Sequence, residues 1–186
     1  MSKTRIERKI VNPVIKDTTC FIRTALETGG KFTEVEVTLM PGGGTPIHFH
    51  KHFSETFTAI KGRLGLKLEG GKTIILQPGE SYTVPIGTRH NFHNPTREEI
   101  GFNVLIEPGN RGFEQSLQIL YGLAMDGLTD EKAIPKKLAH TAVIMSLGDM
   151  NATGLLSLLT PVLTWIAKRE RAKGAEQALI RKYCKW

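Results

Sequence analysis

Cysteine is almost missing from this chain of 186 residues: Cys20 and Cys184 stand far apart, and no others occur. Two distant thiols imply no disulfide framework, fit a reducing cytoplasm, and offer none of the thiolate clusters that closed structural zinc sites use. An apolar leader is also lacking. Met1 to Asp17 carries charges throughout, so no secretory signal is read there and the expected compartment is the cytoplasm. No uninterrupted apolar run approaches the roughly 20 residues of a membrane span. Concentrated charge is absent too. The net +7 divides into 14 basic and 11 acidic residues over 1–107 and 11 basic and 7 acidic over 108–186. Such an even spread reads as solvated surface, and no nucleic-acid partner is expected.

What is present is a pair of spaced blocks. The first reads Gly42, five residues, His48-x-His50, four residues, Glu55, six residues, Gly62. The second reads Gly79, five residues, Pro85-x-Gly87, two residues, His90, three residues, Asn94. Side chains two apart on an extended segment share a face, so His48 and His50 can hold one ion together. Glu55 lies an odd interval further on, which predicts that the chain bends through Lys51 to Ser54 and returns it from a neighbouring strand. Pro85-x-Gly87 is turn chemistry placed just before His90.

Three imidazoles and one carboxylate suit a single divalent first-row ion (Fe, Mn, Ni, Co, Cu or Zn), and four ligands on a six-coordinate metal leave two positions for water, dioxygen or a chelating ligand. The two blocks, with all ten signature positions filled, resemble the two motifs of the cupin superfamily. That resemblance implies a mainly β fold, a double-stranded β-helix or jelly-roll barrel over residues 10–107, with His48, His50, Glu55 and His90 as metal ligands. In it the glycines, Pro85 and Asn94 serve the turns. Residues 108–186 lie outside the resemblance and are expected to form a C-terminal helical extension.

Local patterns agree with this. Thr19 to Leu26 and Phe32 to Met40 flank Thr28-Gly29-Gly30, and Arg63 to Glu69 and Lys72 to Leu76 flank Gly70-Gly71; both read as hairpins. Glu98 to Ile106 reads as the last strand. Beyond Pro108, a stripe of Phe113, Leu117, Leu120 and Ala124 predicts a helix over about 113–125. A second is expected from Lys136 to Leu147, capped by Thr129 or Asp130, and a third from Ala152 to Lys173, bent at Pro161. Between Lys137 and Lys168 the only charged residue is Asp149. This stretch is expected to pack on the barrel or on a second subunit, making a homodimer, with peripheral membrane contact through the helices and Lys168 to Lys173 as the alternative.

Parity places Phe57 on the face of Glu55 and Phe92 on that of His90, so both are candidate walls of a substrate pocket, with Met40 and Phe102 unphased. His93 and Arg89 read as outward. His52 and Tyr82 are the candidates for proton transfer. An apolar pocket over an open metal site fits a small, partly hydrophobic ligand that chelates through oxygen. The leading functional reading is therefore a metal-dependent enzyme of dioxygenase or oxidoreductase type. A non-catalytic binding or sensing module stands beside it. The resemblance also allows isomerases, decarboxylases and hydrolases, and a transcription regulator comes last, because the tail shows no recognition helix rich in Arg, Asn and Gln.

Overall fold

In the computed structural model, which describes residues 8–151 and 153–185 (the side chains of 154–156 aside), alternation of apolar and polar residues sets the sheets. Nine strands form: β1 Lys9–Asn12, β2 Asp17–Arg23, β3 Thr33–Leu39, β4 Ser54–Lys61, β5 Leu64–Leu68, β6 Thr73–Leu76, β7 Ser81–Val84, β8 His90–His93 and β9 Ile100–Glu107. They pair antiparallel in a six-stranded sheet, ordered β1-β2-β3-β9-β4-β7, and a three-stranded sheet, ordered β6-β5-β8. The fold is a jelly-roll barrel followed by helices. Both expected hairpins are present, β2 with β3 and β5 with β6.

Period-2 burial puts Val35, Val37 and Leu39 of β3 and Ile100, Phe102, Val104 and Ile106 of β9 inside, opposite Leu64 and Leu66 of β5. Fully burying each such side chain contributes about 1.5–3 kcal/mol, so a one-residue slip in register, which would turn the whole set outward, is strongly disfavoured. Gly44 lets the two motif blocks approach: a Cβ there would meet the Phe92 carbonyl at 2.7 Å.

After β9 the chain becomes helical: α1 Arg111–Met125, α2 Leu138–Leu147, α3 Thr160–Ala172 and α4 Ala175–Tyr183, with a 3₁₀ turn over Gly154–Leu159. Asn110 caps α1, its Oδ1 accepting from the Phe113 amide at 2.9 Å. The helix lies against the barrel. Phe113 joins the barrel core, the buried Glu114 accepts from the Thr33 hydroxyl at 2.7 Å, and the Tyr121 hydroxyl donates to Asp17 Oδ2 at 2.5 Å. Further out, Ile119 and Leu123 pack on Val143, Ile144 and Leu179, while Ala142 packs on Leu163 and Ala167.

Two local expectations need correction, and one helix is additional to those expected. Pro161 does not bend a long helix; it sits in the first turn of α3, where its missing N–H leaves no intrahelical bond unmade. Asp130 does not cap α2, because its Oδ1 accepts from the Lys132 and Ile134 amides and closes a separate turn. The helical tail also restarts after Lys173: Gly174, at φ +77°, separates α3 from α4. No helix among the described residues is long and apolar enough to cross a membrane.

Candidate metal centre

The four predicted ligands meet, but by a route the spacing only half described. His48 and His50 lie on an extended segment outside the regular strands. His48 makes an isolated bridge with His90, amide to carbonyl in both directions at 3.0 and 2.8 Å. The chain then bends at Lys51 and His52 and enters β4 in the other sheet, where Glu55 pairs with Val84 and Ile106. The expected bend is thus a corner between sheets. Gly87, at φ +80°, forms the turn before His90, and its amide donates to the His50 carbonyl at 2.7 Å, which ties the second block to the first.

Each imidazole is oriented by its other nitrogen. Nδ1 of His48 donates to the Pro46 carbonyl at 2.8 Å, that of His50 to the Asp149 carbonyl at 3.0 Å, and that of His90 to the Thr88 carbonyl at 2.9 Å. With a proton held on Nδ1 in each ring, Nε2 is left to face the interior, the outer-shell arrangement that metal-bound histidines use. One ligand atom from each of His48, His50, Glu55 and His90 lies within 4.8 Å of the others.

Those residues fit an ion. His50 Nε2 is buried without a hydrogen-bond partner, 3.4 Å from Glu55 Oε2. His90 Nε2 donates to Glu55 Oε2 at 2.7 Å, so a proton stands between two atoms that a cation would bridge. An ion bound at about 2.0–2.2 Å holds ligand atoms at most about 4.4 Å apart, so the cluster need close by only a few tenths of an ångström.

Electrostatics favour the ligating forms of His48 and Glu55, while His90 holds on Nε2 the proton that an ion would displace. Burial, reinforced by the neighbouring His50 and His90, pushes the His48 pKa down to about 4, which keeps this ring neutral and able to donate its lone pair. Burial opposes charge on Glu55, yet His50 and His90 together outweigh it and hold the carboxyl below the usual range. Burial likewise disfavours the His90 cation, but the hydrogen bond and charge of Glu55, with the Thr88 carbonyl, raise its pKa.

Behind the cluster stands a support that sequence spacing did not disclose. Asp149 adopts φ +49° and its Oδ2 accepts from the amides of Lys51 and His52 at 2.5 and 2.8 Å, capping the corner between His50 and Glu55. Asn151 bridges Phe49, and its side-chain amide donates to Asp149 Oδ1 at 3.0 Å. Phe53 stacks on His50 with ring centres 4.2 Å apart, and Phe113 from α1 meets Phe53 edge-on at 5.4 Å. The isolation of Asp149 within an apolar stretch was the available signal.

His48 and Glu55 line a cavity of about 500 Å³, whose wall also includes Phe57 and Phe92. Phe102 lies fully buried behind these two rings, and Met40 is exposed. His52 is turned outward, 73% exposed, with Nδ1 at 3.0 Å from Asp149 Oδ2. Tyr82 lies on β7 facing the Lys72 ammonium, and neither it nor His52 lines the cavity. His93 points out of the barrel as expected, its ring lying over Gly65 on the outer face of the three-stranded sheet. At another part of the cavity wall sits a buried acid, Asp17, with Thr19 and Tyr121.

Residues 35–106 match the family model described as Cupin domain. Among solved structures, a predicted oxalate decarboxylase from Thermotoga maritima is 16% identical, covers 58% of this chain and 99% of its own, and superposes with a TM-score of 0.50. The polyketide cyclase RemF from Streptomyces resistomycificus is 23% identical over 57% of this chain and 78% of its own, with a TM-score of 0.48. Ectoine synthase from P. lautus is 18% identical over 58% and 78%, with a TM-score of 0.49. These likenesses bear on the fold alone. A search of curated protein sequences returns no match.

Proposed function

We propose that the chain, whose residues 35–106 match the Cupin domain model, is a metal-dependent enzyme that holds one divalent transition ion on His48, His50, Glu55 and His90 and acts on a small organic molecule in the adjoining cavity. The observation that carries this is the orientation of the rings: three backbone carbonyls take the Nδ1 protons, so the three Nε2 atoms face one carboxylate. An ion there supplies Lewis acidity or redox chemistry at open positions. The protein's own residues do the rest. His48 and Glu55 bring the centre to the cavity wall, while Phe57, Phe92 and Phe113 surround it with apolar surface that limits water.

A dioxygenase or related oxidoreductase is the reaction class we favour over an isomerase. His52 is turned outward and Tyr82 packs on the barrel core opposite Phe57, and neither lines the cavity, so acid–base chemistry lacks the groups that sequence reasoning offered it. The test is elemental mass spectrometry on untagged protein purified without chelator, followed by oxygen uptake with candidate substrates. Near-stoichiometric transition metal is expected, and a metal-free protein that refuses added ions overturns the reading.

One observation favours a second reading, a binding or sensing module. Asp149 and Asn151 clamp the ligand corner from the helical tail, so occupancy of the site can be transmitted to α2 and α3. That reading expects ligand binding without turnover. For assembly, we read the exposed apolar residues Leu158, Val162 and Trp165 as the contact of a homodimer, with peripheral membrane contact as the competing reading, and the cytoplasm remains the proposed compartment.

A further inference from the structure

The cavity beside the metal centre is much longer than a small polar substrate needs. Its walls run from Glu55 past Val35 and Val104 of the sheet to Leu117 and Leu120 of α1, then to Ile144 of α2 and Leu163 of α3. About 500 Å³ lies within the range of pockets that enclose a whole organic ligand of substantial size. A small dicarboxylate would occupy only the end at His48 and Glu55. It would leave the long aliphatic stretch between the sheet and α1 either empty or filled with water that finds few partners beyond Asp17, Thr19 and Tyr121.

The tail accounts for the apolar character. Leu138, Ile144, Met145, Leu159 and Leu163 all line this cavity, so the nearly uncharged stretch 138–167 is wall as much as core. Ile134, Leu138 and Leu159 line the cavity and are also 41%, 55% and 48% exposed. Residues that face both the interior and the solvent mark a mouth, and the rim of this one combines these apolar side chains with the exposed Lys132 and Lys136.

We propose that the cavity takes an elongated amphipathic molecule: an oxygen-bearing head at His48 and Glu55, and an aliphatic body lying along α1 between the sheet and helices α2 and α3. The placement of the head rests on the metal-centre reading, whereas that of the body rests on the walls alone.

The test is calorimetric titration of straight-chain saturated carboxylic acids, from butyrate to palmitate below their micellar concentrations, into metal-loaded protein and into protein stripped with chelator. Each methylene taken into the cavity should tighten binding about fourfold, with a plateau once the walls are filled. Stripping should weaken the whole series while keeping the slope. A flat series, with butyrate binding as tightly as palmitate to protein of full metal content, overturns the inference and leaves the metal centre standing. A preserved slope in protein that never takes up metal overturns the enzyme reading and keeps the body's site. Leu120→Trp should bring the plateau several carbons earlier at unchanged metal content; a plateau that does not move counts against this path. Leu163→Phe, on a different helix, makes the same measurement if the first variant does not fold.

Discussion

At the scale of single residues, the candidate ligands were legible because their chemistry and spacing are local: His48, His50 and Glu55 fall within eight positions, and turn residues announce His90. Asp149 was not legible in the same way. It caps amides 98 and 97 positions away, and no spacing reports a bond of that span. Its role gives a prediction. Asp149→Ala should weaken metal affinity on the order of tenfold to a hundredfold, the usual effect of losing an outer-shell support, while His48→Ala with His90→Ala should abolish binding. Chelator competition measures both, and unchanged affinity in Asp149→Ala would show that the Phe49–Asn151 bridge holds the corner alone. A second prediction concerns Asp17, whose pKa burial raises from 3.8 to about 7 against the opposing hydrogen bond from Tyr121. Because the folded value lies above the unfolded one, its contribution to stability is full below about pH 3.8 and is lost as pH rises through about 7. The shift of roughly three pH units corresponds to something on the order of 4 kcal/mol. Asp17→Asn should therefore gain stability relative to the native chain between pH 5 and 8, read as a widening difference in melting temperature, and parallel melting curves across that range would remove the assignment.

At the scale of elements, hairpins were readable from alternation and glycine turns, since each strand carries its own period. Helix ends were less so. Pro161 is compatible with a bend or a start, and only the 3₁₀ turn before it decides between them. α4 escaped notice because only Leu179 and Glu176 of it are buried, too few to leave a stripe. The larger surprise is how α1 joins the barrel. Phe113 is 6% exposed, sits in the barrel core and edges against the ring that stacks on His50. Phe113→Ala should destabilise the protein by about 3–5 kcal/mol and, unlike an equally buried change at Ile119 in the outer cluster, should also loosen the metal site. Denaturant melts with and without metal separate the two: at Phe113 the stabilisation by metal should shrink, and an equal shrinkage at Ile119 would make the effect one of general stability.

At the scale of the whole molecule, the sequence indicated that 138–167 needs cover, and the fold supplies it for one side only. Ala142, Val143, Ile144 and Ala167 are buried, whereas Leu158 is 73% and Trp165 59% exposed, with the Arg169 guanidinium 5.5 Å from the Trp165 ring centre. We read exposed apolar side chains this close in sequence as a contact surface. Two occupants compete, and their physics differs. A second copy buries the strip by self-complementarity and responds to protein concentration. An anionic bilayer would draw on Lys168, Arg169, Arg171 and Lys173 beside it and respond to salt. The dimer reading predicts a doubled mass in light scattering at micromolar concentration that is insensitive to salt, and a return to single-chain mass in Val162→Asp with Trp165→Asp. A single-chain mass in the native protein, with a blue shift of tryptophan fluorescence on anionic vesicles that salt reverses, would instead assign the strip to a membrane surface. That outcome would place the mouth of the cavity against the source of an aliphatic ligand.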